Sequence, residues 1–278
     1  EERCGSAMID MFWKAAVLGI VQGITEFLPI SSTGHLILVD QFLHMAEGPF
    51  SKMFNVVIQF GSILAVVIYF HKKLIPVAMF SDKKVCRDTL EIWFKTLAGV
   101  FPILLIGFLL ASKIEMLQDS PLVVAAALLI GGVVLIKVEA WCRKERPIET
   151  FHELSYTRAV LIGLIQCLAM IPGTSRSAST IIGGLALGAS RTLAAEYSFF
   201  LAIPTMTAAS GYSLLKHGGS MTTAQWGALA IGFLVSFFVA WAVIAWLMNY
   251  IRTRDFRGFG WYRIILGMVV IAYFYLMK

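Results

Sequence analysis

The sequence predicts an all-α polytopic membrane protein with about six transmembrane helices and two re-entrant helix-loop-helix segments. The composition, the length of the apolar runs and the polar groups inside two of those runs lead to this prediction. Of the 278 residues, 58% are hydrophobic and only 14% are charged, and the mean hydropathy is +0.78. A soluble globule of this length needs more polar surface than this composition supplies. Buried helices of a soluble enzyme would also need amphipathic covering helices, and the sequence pattern contains none.

Six apolar runs approach the ~20 residues that an α-helix needs to cross a hydrocarbon layer of ~30 Å. The predicted spans are residues 53–70, 96–111, 122–141, 197–215, 226–250 and 261–277. We therefore expect a single integral membrane domain over residues 1–278. Residues 1–7 lack the basic-then-apolar order of a cleavable signal, and we expect them to be an added remnant before a natural start at Met8.

Two further apolar regions, residues 15–39 and 159–190, are interrupted near their middle. Each divides into halves of ~10 to 14 residues, a length typical of re-entrant segments rather than of complete crossings. A proline in each region, Pro29 or Pro172, removes a backbone donor and is expected to end the first half-helix. The Ser/Thr cluster that follows can cap the second half-helix. Irregular backbone is tolerated at membrane depth only where protein or water satisfies it, so both loops are expected to meet at one buried polar site.

The two interrupted regions resemble each other, which predicts an inverted repeat. The matching elements are Gly19-x-x-Gln22 with Gly163-x-x-Gln166, and Pro29-x-Ser-Ser-Thr33 with Pro172-x-Thr-Ser-Arg176, with a spacing that differs by one residue. Three predicted spans follow each region. We therefore expect two halves of opposite topology, approximately residues 9–142 and 155–278, with a site near the midplane at their interface.

Lysine and arginine are unevenly distributed among the connections, and this distribution predicts the orientation. Residues 72–95 contain six of them and residues 143–158 contain four. Four more are Arg252, Arg254, Arg257 and Arg263. The alternate connections contain little more than Lys52, Lys113 and Lys216. The positive-inside rule places the basic connections inside, so the first re-entrant region enters from outside and its site is accessible from the outer face. The net charge of +6 then reflects anchoring to anionic lipid rather than nucleic-acid binding.

The interrupted loops supply ionisable groups at membrane depth: Glu26, His35 and Arg176. A charge at that depth costs at least ~2.5 to 3.5 kcal/mol and usually lines a functional cavity. Arg176 offers a planar fork of donors that matches phosphate oxygens, which predicts an intramembrane site for a phosphorylated substrate. Hydroxyls and backbone amides of both loops are predicted to bind the phosphate groups: Ser31, Thr33, Gly34, Gly173, Thr174, Ser175, Ser177 and Thr180.

The identity of the nucleophile is open at this stage. Ser32 stands three residues before His35, so one helical turn could bring its hydroxyl near the imidazole and activate it. Water activated by Glu26 or His35 is the competing scheme, and His35 is also suited to protonate the leaving oxygen. Glu26 could orient His35, act as the base or hold a divalent cation, Mg²⁺ or Ca²⁺, against a diphosphate. Two purely structural alternatives are also open. The hydroxyls could serve only to satisfy backbone groups left unpaired at the helix breaks, and Glu26 and Arg176 could form a structural ion pair.

Two long sequences carry a resemblance to a known family: Gln22-Gly-Ile-Thr-Glu-Phe-Leu-Pro-Ile-Ser-Ser-Thr-Gly-His35 and Pro172-Gly-Thr-Ser-Arg-Ser-Ala-Ser-Thr180. They resemble the signature motifs of the bacterial undecaprenyl pyrophosphate phosphatase family, also known as the bacitracin-resistance protein family. The resemblance extends through the chain after Met8. It implies hydrolysis of a long isoprenoid diphosphate, which recycles the lipid carrier of cell-wall synthesis in the bacterial cytoplasmic (inner) membrane.

The resemblance also implies roles for individual residues. It implies that catalysis needs Glu26, His35 and Arg176, supported by Ser31, Ser32, Ser175 and Thr180, and that the reaction depends on a divalent ion. This chain departs from the motif at one position, because Gln22 stands where many members have a glutamate. A supporting role is therefore expected for Gln22 rather than that of an acid or a metal ligand.

A transporter or flippase for a polyprenyl phosphate is the main alternative function, because inverted repeats with broken helices are typical of secondary transporters. The density of acid, base, nucleophile and anion-binding groups favours hydrolysis, since transport needs only the anion-binding group. A membrane scaffold would not explain charges at the midplane. The expected partners are a polyprenyl diphosphate lipid and the bilayer, with no nucleic acid. A homodimer is compatible with the sequence.

Overall fold

The computed structural model describes residues 2–45, 48–75, 83–115, 121–141 and 147–276. Within these ranges the regular structure is helical, apart from one bridge between Ile148 and Ala189. The α-helices are α1 Glu2–Thr25, α2 Ser32–Leu43, α3 Pro49–Tyr69, α4 His71–Leu74, α5 Lys83–Glu115, α6 Pro121–Trp141, α7 Tyr156–Gln166, α8 Arg176–Ala186, α9 Arg191–His217, α10 Thr223–Thr253 and α11 Arg257–Leu276. Short 3₁₀ helices follow α7 and α9, at Cys167–Met170 and Gly218–Ser220. The predicted all-α class is confirmed.

Six of the described helices are long and apolar enough to cross a membrane, judged by length and composition. They are Met8–Thr25, Phe50–Tyr69, Lys84–Leu109, Pro121–Trp141, Arg191–Ser220 and Thr223–Thr253. All but the first coincide with predicted spans. The last predicted span, residues 261–277, corresponds to α11, a helix of 20 residues, and its residue 277 lies outside the described residues, as do the predicted half boundaries at 142 and 278.

The length of α1 differs from the prediction. It is one helix of 24 residues, whereas the first half of the interrupted region was expected to contain ~10 to 14 residues. The helix continues upstream of residue 15 because the sequence contains no proline before Pro29 to interrupt it. The other three half-helices, α2, α7 and α8, contain 12, 11 and 11 residues.

Both predicted helix breaks occur, and each ends at a serine with a positive φ angle. Ser31 (φ 74°) precedes α2, and Ser175 (φ 71°) precedes α8. Each serine caps its helix, because its hydroxyl accepts a hydrogen bond from the N–H three residues later, Gly34 at 3.3 Å and Ala178 at 3.2 Å. Counted from the glutamine of each Gly-x-x-Gln element, both caps lie nine residues downstream. The two regions therefore align without a gap when the capping serines are matched. Matching the prolines instead left a difference of one residue in the spacing.

Helices α1 and α10 pack together in the same way as helices α7 and α5. In each pair a glycine of the Gly-x-x-Gln element lies against a glycine of the longer helix. A Cβ atom on Gly19 would lie 2.7 Å from the carbonyl oxygen of Gly232, and one on Gly163 would lie 2.7 Å from the carbonyl carbon of Gly99. Side chains are therefore excluded at both contacts. The other main contacts join α3 to α9 and α10, and α6 to α11, so most of the packing joins residues before 142 to residues after 155.

Candidate active site

The two interrupted loops meet in a small polar cavity of about 180 Å³. The cavity is lined by polar and loop residues from both: Glu26, Ser31, Ser32, Thr33, Pro172, Gly173, Ser175 and Arg176. Gln59 of α3, Ala169 of the 3₁₀ helix after α7 and Met206 of α9 complete its wall. The loops thus converge at one site, and they reach it with the N-termini of α2 and α8 directed into the same region. Unpaired amides at helix N-termini favour anions, so this arrangement suits a phosphate group.

Glu26 is the most buried charged group of the cavity and accepts hydrogen bonds from three side chains. Its Oε1 lies 2.9 Å from Nη2 of Arg176. Its Oε2 accepts from Nε2 of Gln22 at 2.7 Å and from Oγ of Ser32 at 2.9 Å. The Glu26 side chain is 2% exposed and that of Arg176 is 10% exposed. A carboxylate that accepts from a serine hydroxyl in a site of this kind is placed to take its proton.

Arg176 is held between the first loop and α9. Its Nη1 donates to the carbonyl oxygen of Ser198 at 2.8 Å, while its Nη2 donates to Glu26. The guanidinium also lies over the ring of Phe27, 5.9 Å from the centroid. Its Nε has no partner among the described residues. The structure therefore contains the Glu26–Arg176 ion pair that the sequence left as a structural alternative, and the pair forms one wall of the polar cavity.

His35 lies apart from this group of side chains. Its Nδ1 donates to the carbonyl oxygen of Ser31 at 2.7 Å, so Nε2 faces the Tyr262 hydroxyl, also at 2.7 Å. The ring lines a second, apolar cavity of about 510 Å³ between α1, α10 and α11. The expected approach of the Ser32 hydroxyl to the imidazole does not occur. The positive φ of Ser31 starts α2 at Ser32, so the Ser32 hydroxyl meets Glu26 while the His35 ring turns back to the Ser31 carbonyl.

Several predicted phosphate-binding positions interact with the protein itself. Ser177 Oγ donates to the Leu28 carbonyl oxygen at 2.9 Å and so joins the second loop to the first. The Thr180 hydroxyl lies 2.6 Å from that of Ser198. The backbone amides of two further positions are used inside their own loops: Gly34 and Thr174. The interpretation that hydroxyls satisfy freed backbone therefore describes Ser177 and the two caps, Ser31 and Ser175. The caps also line the cavity, together with Ser32 and Thr33.

The sequence analysis missed three residues that contact these loops: Ser198, Tyr262 and Arg263. Ser198 carries no signal, since it is one polar residue among aromatic and aliphatic neighbours. Arg263 was counted among the basic residues of the inner face, which is wrong because its side chain is fully buried. A cation placed two residues inside the predicted span 261–277 is the signal that could have identified it.

The polar cavity does not contain the ligands of a resident metal ion. Among the described residues no group of three or more His, Cys, Asp or Glu side chains could hold one. Of the described residues that line the cavity, Glu26 alone is a carboxylate, and both its oxygens accept hydrogen bonds from protein donors. Mg²⁺ and Ca²⁺ need several oxygen ligands, so the residues present do not fit a metal held by the protein alone.

A polytopic helical protein with an arginine, a carboxylate and a hydroxyl converging in a buried cavity is typical of membrane proteins with a functional site for an anionic group. Comparison with known sequences agrees. Residues 15–269 match the family described as Bacitracin resistance protein BacA. The chain belongs to this family.

Relatives from several bacteria cover almost the whole chain. Undecaprenyl-diphosphatase 1 of Clostridioides difficile (strain 630) is 49% identical over 273 residues, which are 98% of this chain and 98% of the relative. The undecaprenyl-diphosphatase of Lactiplantibacillus plantarum is 48% identical, covering 97% of this chain and 100% of the relative. The undecaprenyl-diphosphatase of Aquifex aeolicus is 46% identical, covering 94% of this chain and 98% of the relative.

Proposed function

We propose that this chain is a membrane enzyme that hydrolyses undecaprenyl diphosphate to undecaprenyl phosphate and inorganic phosphate. The reaction recycles the lipid carrier of cell-wall synthesis and confers resistance to bacitracin. The family match and the names of the relatives support this function. The observation that carries the chemistry is the hydrogen bond from Ser32 Oγ to Glu26 Oε2 at 2.9 Å, in a cavity that Arg176 also lines.

The contact between Ser32 and Glu26 favours a serine nucleophile over directly activated water. Ser32 Oγ attacks the terminal phosphorus of the diphosphate, Glu26 takes the hydroxyl proton, and the bond from phosphorus to the bridging oxygen breaks. Undecaprenyl phosphate leaves with the electron pair of that bond. The departing undecaprenyl phosphate takes the proton from Glu26, which restores the carboxylate. Water then attacks the phosphoserine and Glu26 takes a proton from this water. The bond from phosphorus to Ser32 Oγ breaks as Glu26 returns the proton to Ser32, and phosphate leaves.

Arg176 is proposed to bind the phosphoryl group that is transferred. In the structure its two terminal nitrogens donate to Glu26 and to the Ser198 carbonyl. A diphosphate entering the cavity competes with Glu26 for Nη2, and this exchange frees one carboxylate oxygen from the guanidinium. The arginine then stabilises negative charge on the phosphoryl oxygens while Glu26 keeps its contact with Ser32. Positioning and charge stabilisation of this kind supply most of the catalysis in phosphoryl transfer.

His35 is proposed to shape the first loop rather than to meet the phosphate. Its contacts with Ser31 and Tyr262 support this role, because both ring nitrogens already have partners. Through its Nδ1 it satisfies the carbonyl of the residue that caps α2. A divalent cation, Mg²⁺ or Ca²⁺, is proposed to enter with the substrate, bound mainly by diphosphate oxygens, because the cavity supplies only one carboxylate.

The chain is proposed to consist of two inverted halves, and the site to open to the outer face of the bacterial inner membrane. Two matching glycine contacts, Gly19 with Gly232 and Gly163 with Gly99, support the repeat. The positive-inside distribution supports the orientation, since Arg252, Arg254 and Arg257 remain exposed after Arg263 is removed from the count. Sites of inverted-repeat proteins lie at the interface of the halves, where both loops meet here.

The function is tested by phosphate release from undecaprenyl diphosphate by the purified protein. We expect release by the wild type, loss with Arg176→Ala and wild-type release with Arg257→Ala, which changes an exposed arginine of α11. Absence of release by folded wild-type protein, together with movement of labelled polyprenyl phosphate across proteoliposome membranes, would establish the transporter alternative instead.

A further inference from the structure

Arg263 is a fully buried arginine in the middle of the helix bundle, and the proposed reaction does not use it. It is among the largest side chains that have no exposure to solvent. It belongs to α11, which packs along α6. No carboxylate among the described residues pairs with it, and its Nε has no partner there. Burial of a charge without an opposite charge is costly, so a specific benefit is expected in return.

The Arg263 guanidinium donates to four backbone carbonyl oxygens from three separate segments. Nη1 donates to Pro29 of the first loop at 3.3 Å. Nη2 is shared among Ala127 of α6 at 3.0 Å, Gly173 at 3.2 Å and Thr174 at 3.0 Å. One side chain therefore connects both loops that form the polar cavity and ties them to α6. Only arginine has donors spread widely enough for such a set of acceptors.

Two glycines make room for this arrangement. A Cβ atom on Gly131 of α6 would lie 2.9 Å from Cζ of Arg263, so a side chain there would displace the guanidinium. Gly173 has φ +86°, and its Cβ would lie 2.8 Å from Cα of Val124. The second loop can therefore lie directly against the backbone of α6, with the Arg263 guanidinium against the same two segments.

The contacts of Arg263 also fix the direction of a backbone amide. The described chain has no cis peptide bonds, so in each peptide unit the N–H points opposite to the carbonyl. Because the Thr174 carbonyl faces Arg263, the N–H of Ser175 points away from Arg263. Ser175 lines the polar cavity, and its N–H has no acceptor in the described part of the chain. This amide precedes α8, where the helix dipole also favours an anion.

We propose that Arg263 is a positioning residue. Its hydrogen bonds hold the two interrupted loops together and direct the Ser175 amide toward the substrate diphosphate. This role rests on the proposed function for the identity of the substrate. The hydrogen bonds from Arg263 to both loops are a property of the fold and do not depend on that function. Arg263 does not line the polar cavity, so it acts through the loop backbone rather than by contact with phosphate.

The test compares Arg263→Met and Arg263→Lys with Arg257→Met, a change of the exposed arginine at the start of α11. In folded Arg263→Met, hydrogen exchange of the backbone amides should increase in residues 29–35 and 172–178. The kcat/KM for undecaprenyl diphosphate should fall by about 100-fold or more, the usual cost of losing an oriented donor. Arg263→Lys should recover less than about a tenth of the wild-type value, since an ammonium lacks the fork of donors. Arg257→Met should match the wild type in both measurements.

A second variant distinguishes orientation of the two loops by Arg263 from a general role of this residue in folding. Gly131→Ala keeps Arg263 but pushes on its guanidinium, and we expect the same rise in exchange and the same loss of kcat/KM. Gly211→Ala, at a position with open space around it, is the matched control. Wild-type exchange in both loops of folded Arg263→Met, or full activity of Arg263→Lys, would overturn the proposal. If Arg263→Met does not fold, the proposal is overturned by a Gly131→Ala variant that has wild-type hydrogen exchange in both loops and wild-type kcat/KM. If the wild type releases no phosphate, the proposed function fails, and the exchange comparison alone decides the role of Arg263.

Discussion

Glu26 contacts three donors, and one of them is the hydroxyl that the proposed reaction must deprotonate. Gln22 and Arg176 hold the carboxylate in place while Ser32 donates to it. The carboxylate does not have to move to act as the base, because its Oε2 already lies 2.9 Å from Ser32 Oγ. Ser32 follows the residue with positive φ, a conformation that costs ~1 to 3 kcal/mol and that concentrates at functional sites.

Replacement of Ser32 distinguishes the two nucleophile schemes. If Ser32 forms a phosphoserine, Ser32→Ala should lower kcat by several orders of magnitude, because no other hydroxyl of the described chain donates to Glu26. If Ser32 only positions water or phosphate, a loss of about 10- to 100-fold is expected. Steady-state phosphate release measures kcat, and Ser220→Ala, an exposed serine, is the control. Wild-type activity of Ser32→Ala would remove this residue from the mechanism.

Replacement of Arg176 by lysine tests the guanidinium rather than the charge. The two terminal nitrogens of Arg176 reach acceptors on separate elements, Glu26 and Ser198. An ammonium cannot reach both, so Arg176→Lys should reduce kcat more than it raises KM. Michaelis–Menten kinetics with folded protein measure both constants, with Arg257→Lys as the control. A wild-type kcat in folded Arg176→Lys would show that only the charge matters.

The convergence of Glu26, Ser32 and Arg176 is predictable from the sequence because all three lie at breaks in apolar helices. The position of His35 is not, since the positive φ of Ser31 decides which way the first turn of α2 presents its side chains. Arg263 is also not predictable by counting basic residues, because that count treats neighbours in sequence as neighbours in space. Its acceptors come from the loops and α6, far away in the chain.

At the scale of elements, glycine contacts fix the distances between the helices that carry the loops. Helix α7 leads into the second loop and touches α5 through Gly163 and Gly99, as α1 touches α10 through Gly19 and Gly232. The matching Gly-x-x-Gln elements are visible in the sequence. Their partner glycines are not, because nothing in the sequence shows which face of α5 or α10 meets the shorter helix.

Substitution of Gly163 tests this packing. Any side chain there would overlap the backbone of Gly99, so Gly163→Val should destabilise the protein by about 1 to 3 kcal/mol, as overpacking does. Thermal unfolding in detergent should show a melting temperature lower by several degrees. Gly211→Val in α9 meets open space and should leave the melting temperature near that of the wild type. Equal stability of the two variants would contradict the close contact.

At the scale of the whole molecule, contacts between the proposed halves dominate the packing. Helix α3 packs on α9 and α6 packs on α11, while α1 and α7, which lead into the two loops, each pack on a long helix of the other half. Arg263 adds a polar connection of the same kind, from α11 to the loops of both halves. The halves therefore form one unit around the cavity, and neither can supply the site alone, since Glu26 and Arg176 come from different halves.

Cysteine labelling in intact cells tests the proposed orientation. With the other native cysteines replaced by serine, Ser51→Cys and Ser220→Cys should react with a membrane-impermeant maleimide, because few basic residues lie near them. The native Cys86, which follows Lys83 and Lys84 in the basic first turn of α5, should react only after the cells are permeabilised. Its reaction in permeabilised cells is the control for reactivity, since this thiol is free and partly exposed. Labelling of Cys86 from outside, together with protection of Ser220→Cys, would reverse the orientation and place the entrance of the first loop on the inner face.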